Sequence, residues 1–162
     1  MKYKGLIAYL LAFLALPQVA TADILAILIN PDSLSYDLSS GNYVNSPGNY
    51  ANSSGNYENS EGNYANSPGN YANSAGNYAN GINGENRIIS EDNLFLGYYV
   101  FSDSGVMNLY SASGNRVAYM PSGGHTQSLF FSQGGWCGTI GESGGKTVLG
   151  LTRNCHLRFT LN

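Results

Sequence analysis

Residues 41–82 are six tandem copies of G-N-Y-x-N-S-x, with Tyr43, Tyr50, Tyr57, Tyr64, Tyr71 and Tyr78 in register and Tyr36 one period earlier in a degenerate copy. Coiled coils also repeat every seven residues, but they need two apolar positions per heptad and good helix formers. This unit offers one Tyr among Gly, Asn and Ser, so a long helix is excluded. A continuous flat strand fits no better. Side chains alternate faces with period two, and an odd repeat would send successive tyrosines to opposite sides. One turn per repeat resolves the conflict, because Asn and Gly tolerate left-handed backbone and Asn and Ser side chains bond nearby backbone. The run is therefore expected to be either a coil of equivalent turns with stacked Tyr and Asn ladders, or a flexible polar tether with almost no aliphatic residue to bury. In either form the six tyrosines are candidates for polymer binding or for stacking between chains. Tyr carries a flat apolar face with a polar tip, and Asn supplies both donors and acceptors.

The chain opens with Lys2 and Lys4, an apolar stretch from Leu6 to Leu16, Pro17 and a small-residue Ala20-Thr21-Ala22 pattern. This reads as a secretory signal, 1–22, with the mature chain beginning at Asp23. The apolar stretch falls short of the roughly 20 residues that a membrane-spanning helix requires. Export to the periplasm, the cell surface or the extracellular medium is thus expected, with no transmembrane segment after cleavage. The mature chain keeps five basic and ten acidic residues, a formal net charge of −5, which argues against nucleic acid as a partner. From Asp23 to Asn86 there are six acids and no base, whereas from Arg87 onward five bases face four acids. An N-terminal segment (23–40) and the repeats (41–82) accordingly read as one chemistry, and 83–162 as another.

Cys137 and Cys155 are the chain's two cysteines, and in an oxidising compartment such a pair forms a disulfide. Closing that loop would contribute about 3 kcal/mol in the chain-entropy account. Metal binding with His125 and His156 is the alternative, but no CxxC or HxxxH spacing supports it.

A second repeat of about 20 residues appears in the C-terminal half. Ile88–Tyr98 aligns with Leu109–Tyr119 and with Leu129–Thr139, each an apolar run, a turn at Asp-Asn, Ser-Gly-Asn or Gln-Gly-Gly, and a second run. These read as hairpins. Further turns at Ser102–Gly105 and Ser143–Gly145 bring the expectation to roughly eight strands. The last is placed at Cys155–Leu161, where Cys155, Leu157, Phe159 and Leu161 alternate with polar residues. The fold class is all-β: an antiparallel meander, curled into a barrel or folded into two layers. A region this small has a limited core, which gives the disulfide its purpose.

Motifs suggestive of catalysis are weak. Gly141-Glu142-Ser143-Gly144-Gly145 fits G-x-S-x-G, but a nucleophilic Ser needs a base and a third group to orient it, and no companion histidine motif precedes it. A hairpin turn accounts for the segment. Extended to Lys146-Thr147 it approaches a phosphate-binding loop, yet Ile140 stands where the first Gly belongs. His125 reads as a loop residue, His156 as an outward strand residue, and Trp136 as packing. No catalytic, cofactor-binding or metal-binding residue is assigned.

The N-S-P-x-N-Y units, as at Asn45-Ser46-Pro47-Gly48-Asn49-Tyr50, together with Gly114-Asn115-Arg116-Val117-Ala118-Tyr119, resemble a group of small exported proteins of Gram-negative bacteria. The resemblance implies export and architecture and brings no catalytic residue. Two functional expectations follow. One is a non-enzymatic structural or binding role at the cell envelope, with the repeats engaging a polymer, a protein or each other. The other is a periplasmic partner-binding module or inhibitor acting through the C-terminal β domain, with the repeats as a spacer.

Overall fold

The three aligned hairpins share one backbone irregularity, and it shapes the sheet. The computed structural model describes residues 23–161, and the expected signal segment lies outside them. Pairing shifts register between Ile88 and Ile89, between Leu109 and Tyr110, and between Leu129 and Phe130, the same point in each copy. A bulge of this kind bends the strand and increases its twist. The extra residues on the return strands, Leu96, Val117 and Cys137, are all buried in one core with Ile88, Leu109 and Leu129. Small residues follow the bulge for a steric reason. A Cβ at Gly97 would lie 2.0 Å from the Tyr110 carbonyl oxygen, and one at Gly138 would lie 2.1 Å from that of Gly150. The turn residues adopt left-handed backbone where the sequence supplies Asn or Gly, as at Asn93 (φ 60°) and Gly114 (φ 91°).

Eight strands close into a barrel in chain order: β1 Ile24–Leu28, β2 Arg87–Ile89, β3 Phe95–Phe101, β4 Met107–Ser111, β5 Arg116–Met120, β6 Ser128–Phe131, β7 Trp136–Ser143 and β8 Lys146–Leu151. The all-β expectation holds, and closure removes the edge strands that an open sheet would expose. The sheet is not wholly antiparallel, however. β1 comes from the N-terminal segment and runs parallel to both β2 and β8, pairing Ile24 with Ile88 and Leu28 with Leu151. Asp23 ties this strand to β2 through an ion pair with Arg87, whose Nε donates to Asp23 Oδ1 at 2.8 Å. The barrel therefore extends beyond 83–162 to include residues before the repeats.

The expected last strand is instead a helix, α1, Arg153–Thr160. The Thr152 side chain caps it by accepting from the Cys155 N–H. Its buried residues are Cys155 and Phe159, four apart, while Leu157 and Leu161 are exposed. The apolar alternation that suggested a strand thus resolves into an i, i+4 pair on one helical face. α1 reaches β1, β3, β4, β5, β7 and β8, and places Cys155 in the barrel core, disulfide-bonded to Cys137 with Cα atoms 5.3 Å apart.

Of the two forms left open for the heptapeptides, the structure shows the coil. Single 3-10 turns recur at Tyr43–Asn45, Tyr50–Asn52, Tyr64–Asn66, Tyr71–Asn73 and Tyr78–Asn80. In the third copy the Ser60 N–H is shared between the Asn56 and Tyr57 carbonyls, giving a turn of slightly different pattern.

Candidate binding surface

Each position of the heptapeptide has a separate bonding task. The Asn before Tyr caps the turn: Asn49 Oδ1 accepts from the Ala51 N–H at 3.1 Å, and Asn63 does the same for Ala65. The Ser hydroxyl accepts from the N–H of the Gly two residues on, as Ser53 does from Gly55 at 3.0 Å. The Asn after Tyr points inward. Asn52 Nδ2 donates to the carbonyls of Val44 and Ser46 in the preceding copy, at 2.8 and 2.9 Å. Asn45, Asn59, Asn66, Asn73 and Asn80 repeat this pattern, and all six amides are buried. A two-proton donor reaching two inward carbonyls is what a coil without an aliphatic core needs to satisfy its backbone.

The coil lies on the outer wall of the barrel and runs across it in the opposite sense to the chain. Tyr119 donates its hydroxyl hydrogen to the Asn52 carbonyl, Arg116 Nη2 donates to that of Asn59, Tyr110 to that of Asn66 and Tyr98 to that of Asn73, all at 2.7–2.8 Å. At the ends, Thr126 donates to Asn45 Oδ1 and Asn86 to Asn80 Oδ1. Successive copies thus meet successively earlier barrel residues. The third copy, the one carrying acids, faces Ser122 and Ser132, which donate to Glu58 at 2.7 Å and Glu61 at 3.0 Å.

These contacts set the electrostatics of the buried layer. Burial pushes the phenols of Tyr98 and Tyr119 up to about 12, and that of Tyr110 higher still, so all three stay protonated and donate. The Tyr98 and Tyr110 rings stack with centroids 5.2 Å apart. Burial lowers Arg116, while its guanidinium lies 4.7 Å from the centre of the Tyr119 ring and its Nε donates to Asn108 Oδ1. Asn108 in turn donates to Asn66 Oδ1 at 3.0 Å, which joins Arg116 to the Asn ladder.

The repeat tyrosines occupy the opposite side of the coil. Tyr36, Tyr43, Tyr50, Tyr57, Tyr64 and Tyr71 are 66–68% exposed, and Tyr78 is 78% exposed. Among the described residues no ring contact joins one of them to the next. The Tyr ladder expected of the coil is therefore not stacked: the phenols point outward, away from the Asn ladder, as a row of separate rings on a fixed framework.

The remaining sequence candidates are scattered. Ser143 ends β7 and pairs with Lys146 across the Gly144–Gly145 turn. His125 Nε2 donates to Asn52 Oδ1 at 2.7 Å, whereas His156 lies on α1. Trp136 donates from Nε1 to Ser128 Oγ and packs against Val106, Tyr119 and Phe130. The residues missed by sequence reasoning are the barrel partners of the coil: Tyr98, Asn108, Tyr110, Arg116 and Tyr119. The sequence signal for a fixed support was the confinement of Glu58 and Glu61 to one copy, and those acids meet Ser122 and Ser132. No protein-family model, curated protein or solved structure matches the chain. Among the described residues no helix is long and apolar enough to cross a membrane.

Proposed function

We propose that this is an exported, non-enzymatic protein whose repeat coil presents its tyrosines to a polymer of the bacterial cell envelope. The observation that carries this reading is the near-constant exposure of the tyrosine row on a coil anchored to the barrel. Exposed rings held at fixed positions lose little conformational freedom on binding, and Tyr combines a flat apolar face with a polar tip. A repetitive array also gives each weak contact a neighbour, so affinity accumulates along a repetitive ligand. Export rests on the N-terminal sequence pattern, and the disulfide agrees with an oxidising destination.

The test is cosedimentation of the mature protein with purified cell-wall and outer-membrane material. The comparison variant carries Ser at Tyr43, Tyr50, Tyr57, Tyr64, Tyr71 and Tyr78. Deleting the repeats would be a poor comparison, because it would strip the partners from Tyr98, Tyr110, Arg116 and Tyr119. We expect the wild type to sediment and the variant to stay in solution with its thermal midpoint nearly unchanged. Equal sedimentation of both, or of neither, would remove the tyrosine row as the binding element and favour a partner-binding role for the barrel.

A further inference from the structure

Beside each exposed ring the coil holds a side chain that its own fold leaves half used. The Asn before each Tyr spends its oxygen on capping the turn, as Asn42 does for the Val44 N–H, Asn63 for Ala65 and Asn77 for Ala79. The Nδ2 groups of Asn42, Asn56, Asn63 and Asn77 donate to no protein atom among the described residues, and those of Asn49 and Asn70 reach only a carbonyl, at 3.5 and 3.4 Å. Among the described residues every buried side-chain nitrogen and oxygen has a partner, so these amides face solvent. An amide nitrogen carries two N–H donors, and each ring therefore stands one residue from donors the coil does not need. Charge sets a second condition. Residues 23–86 contain no Lys, Arg or His and six acids, of which Asp32, Asp37, Glu58 and Glu61 are exposed. Val or Ala follows five of the six tyrosines, and these small neighbours leave the ring faces open.

We infer that the polymer taken by the tyrosine row is an uncharged polysaccharide, its sugar rings laid on the phenols and its hydroxyls bonded by the Asn amides. The inference rests on the row being the binding face and names what that face recognises. A pyranose with equatorial hydroxyls presents an apolar C–H face and carries its polar groups at the edge. A Tyr ring with amide donors beside it offers the complementary surface. An anionic polymer fits poorly. The coil supplies no cation to form a charge-assisted bond with a carboxylate or phosphate, and its four exposed carboxylates repel one.

Calorimetric titration of the mature protein with hydroxyethylcellulose and carboxymethylcellulose, matched in chain length and degree of substitution, tests the inference on one backbone with and without charge. Saturable binding of the uncharged polymer is expected. The carboxymethylated one should bind at least about tenfold more weakly at low ionic strength, with the gap narrowing as salt is added. The variant Asn42→Ser/Asn63→Ser/Asn77→Ser keeps a capping oxygen at each turn and removes the amide donors. It should bind hydroxyethylcellulose at least about threefold more weakly. No saturable binding of hydroxyethylcellulose, carboxymethylcellulose bound as tightly, or an unchanged affinity in the Ser variant would overturn the assignment. Cosedimentation with envelope material then tells the two failures apart. Tyrosine-dependent sedimentation would leave the row standing and remove only the ligand class, whereas equal sedimentation of the wild type and the six-tyrosine variant would remove both.

Discussion

Asn66 satisfies more partners than any aliphatic residue could in its place. Its Nδ2 donates to the Glu58 and Ser60 carbonyls, its Oδ1 accepts from Asn108, and its carbonyl accepts from Tyr110. Replacing it with Leu would leave the Glu58 carbonyl without a partner, take one donor from the Ser60 carbonyl and the Asn66 Oδ1 acceptor from Asn108, and force a larger side chain into a buried layer. We expect Asn66→Leu to destabilise the protein by about 2–3 kcal/mol, measured from urea unfolding, against a change within about 0.5 kcal/mol for Tyr64→Ala on the exposed side. Equal effects at the two positions would mean that the ladder does not hold the coil. The periodicity made both Asn and Tyr visible as the constant residues, but not which of them faces inward. That choice depends on the carbonyls, which a coil of turns directs inward, and an amide can serve two of them where a phenol serves one.

At the scale of the element, nearly identical repeats raise a problem of register, because a coil of equal units can slide along its support by one unit. The third copy resists this. Glu58 and Glu61 find Ser122 and Ser132, contacts that no other copy can make with a carboxylate. A slip by seven residues would set Ala51 and Ser54, or Ala65 and Pro68, against those two hydroxyls in place of the carboxylates. Excision of residues 55–61 should therefore lower the denaturation midpoint more than excision of 48–54. After the second deletion the first copy can move up to face Tyr119, giving up mainly the Thr126 contact. Equal midpoints would show that the acids do not set the register. The hairpins were legible because turn chemistry and β-branched or aromatic runs act locally. The last element was not, because in eight residues an alternating pattern and an i, i+4 pair contain the same apolar residues. Only the Thr152 cap and the depth of the core separate them.

Across the whole molecule, β1 closes the barrel from a position in the chain before the repeats, so the coil is flanked on both sides by strands of one sheet. No local pattern in 23–40 announces that pairing. It is a long-range consequence of a sheet that would otherwise expose the edges of β2 and β8. The barrel wall then separates two attachments: the coil bonds side chains that point outward, such as Tyr98 and Tyr110, while α1 packs inside against Leu109, Leu149 and Cys137. The disulfide belongs to the inner attachment. Replacing Cys137 and Cys155 together with Ser should reduce stability by about 3 kcal/mol. It should also raise amide hydrogen exchange in α1 while leaving that of Asn52, Asn66 and Asn73 close to wild type under native conditions. Each of those amides is held from the opposite side of the wall, so local opening of the helix need not reach them. An equal rise in both sets would mean that the helix plug and the repeat coil open as one unit, and that the strands between them transmit the loss instead of isolating it.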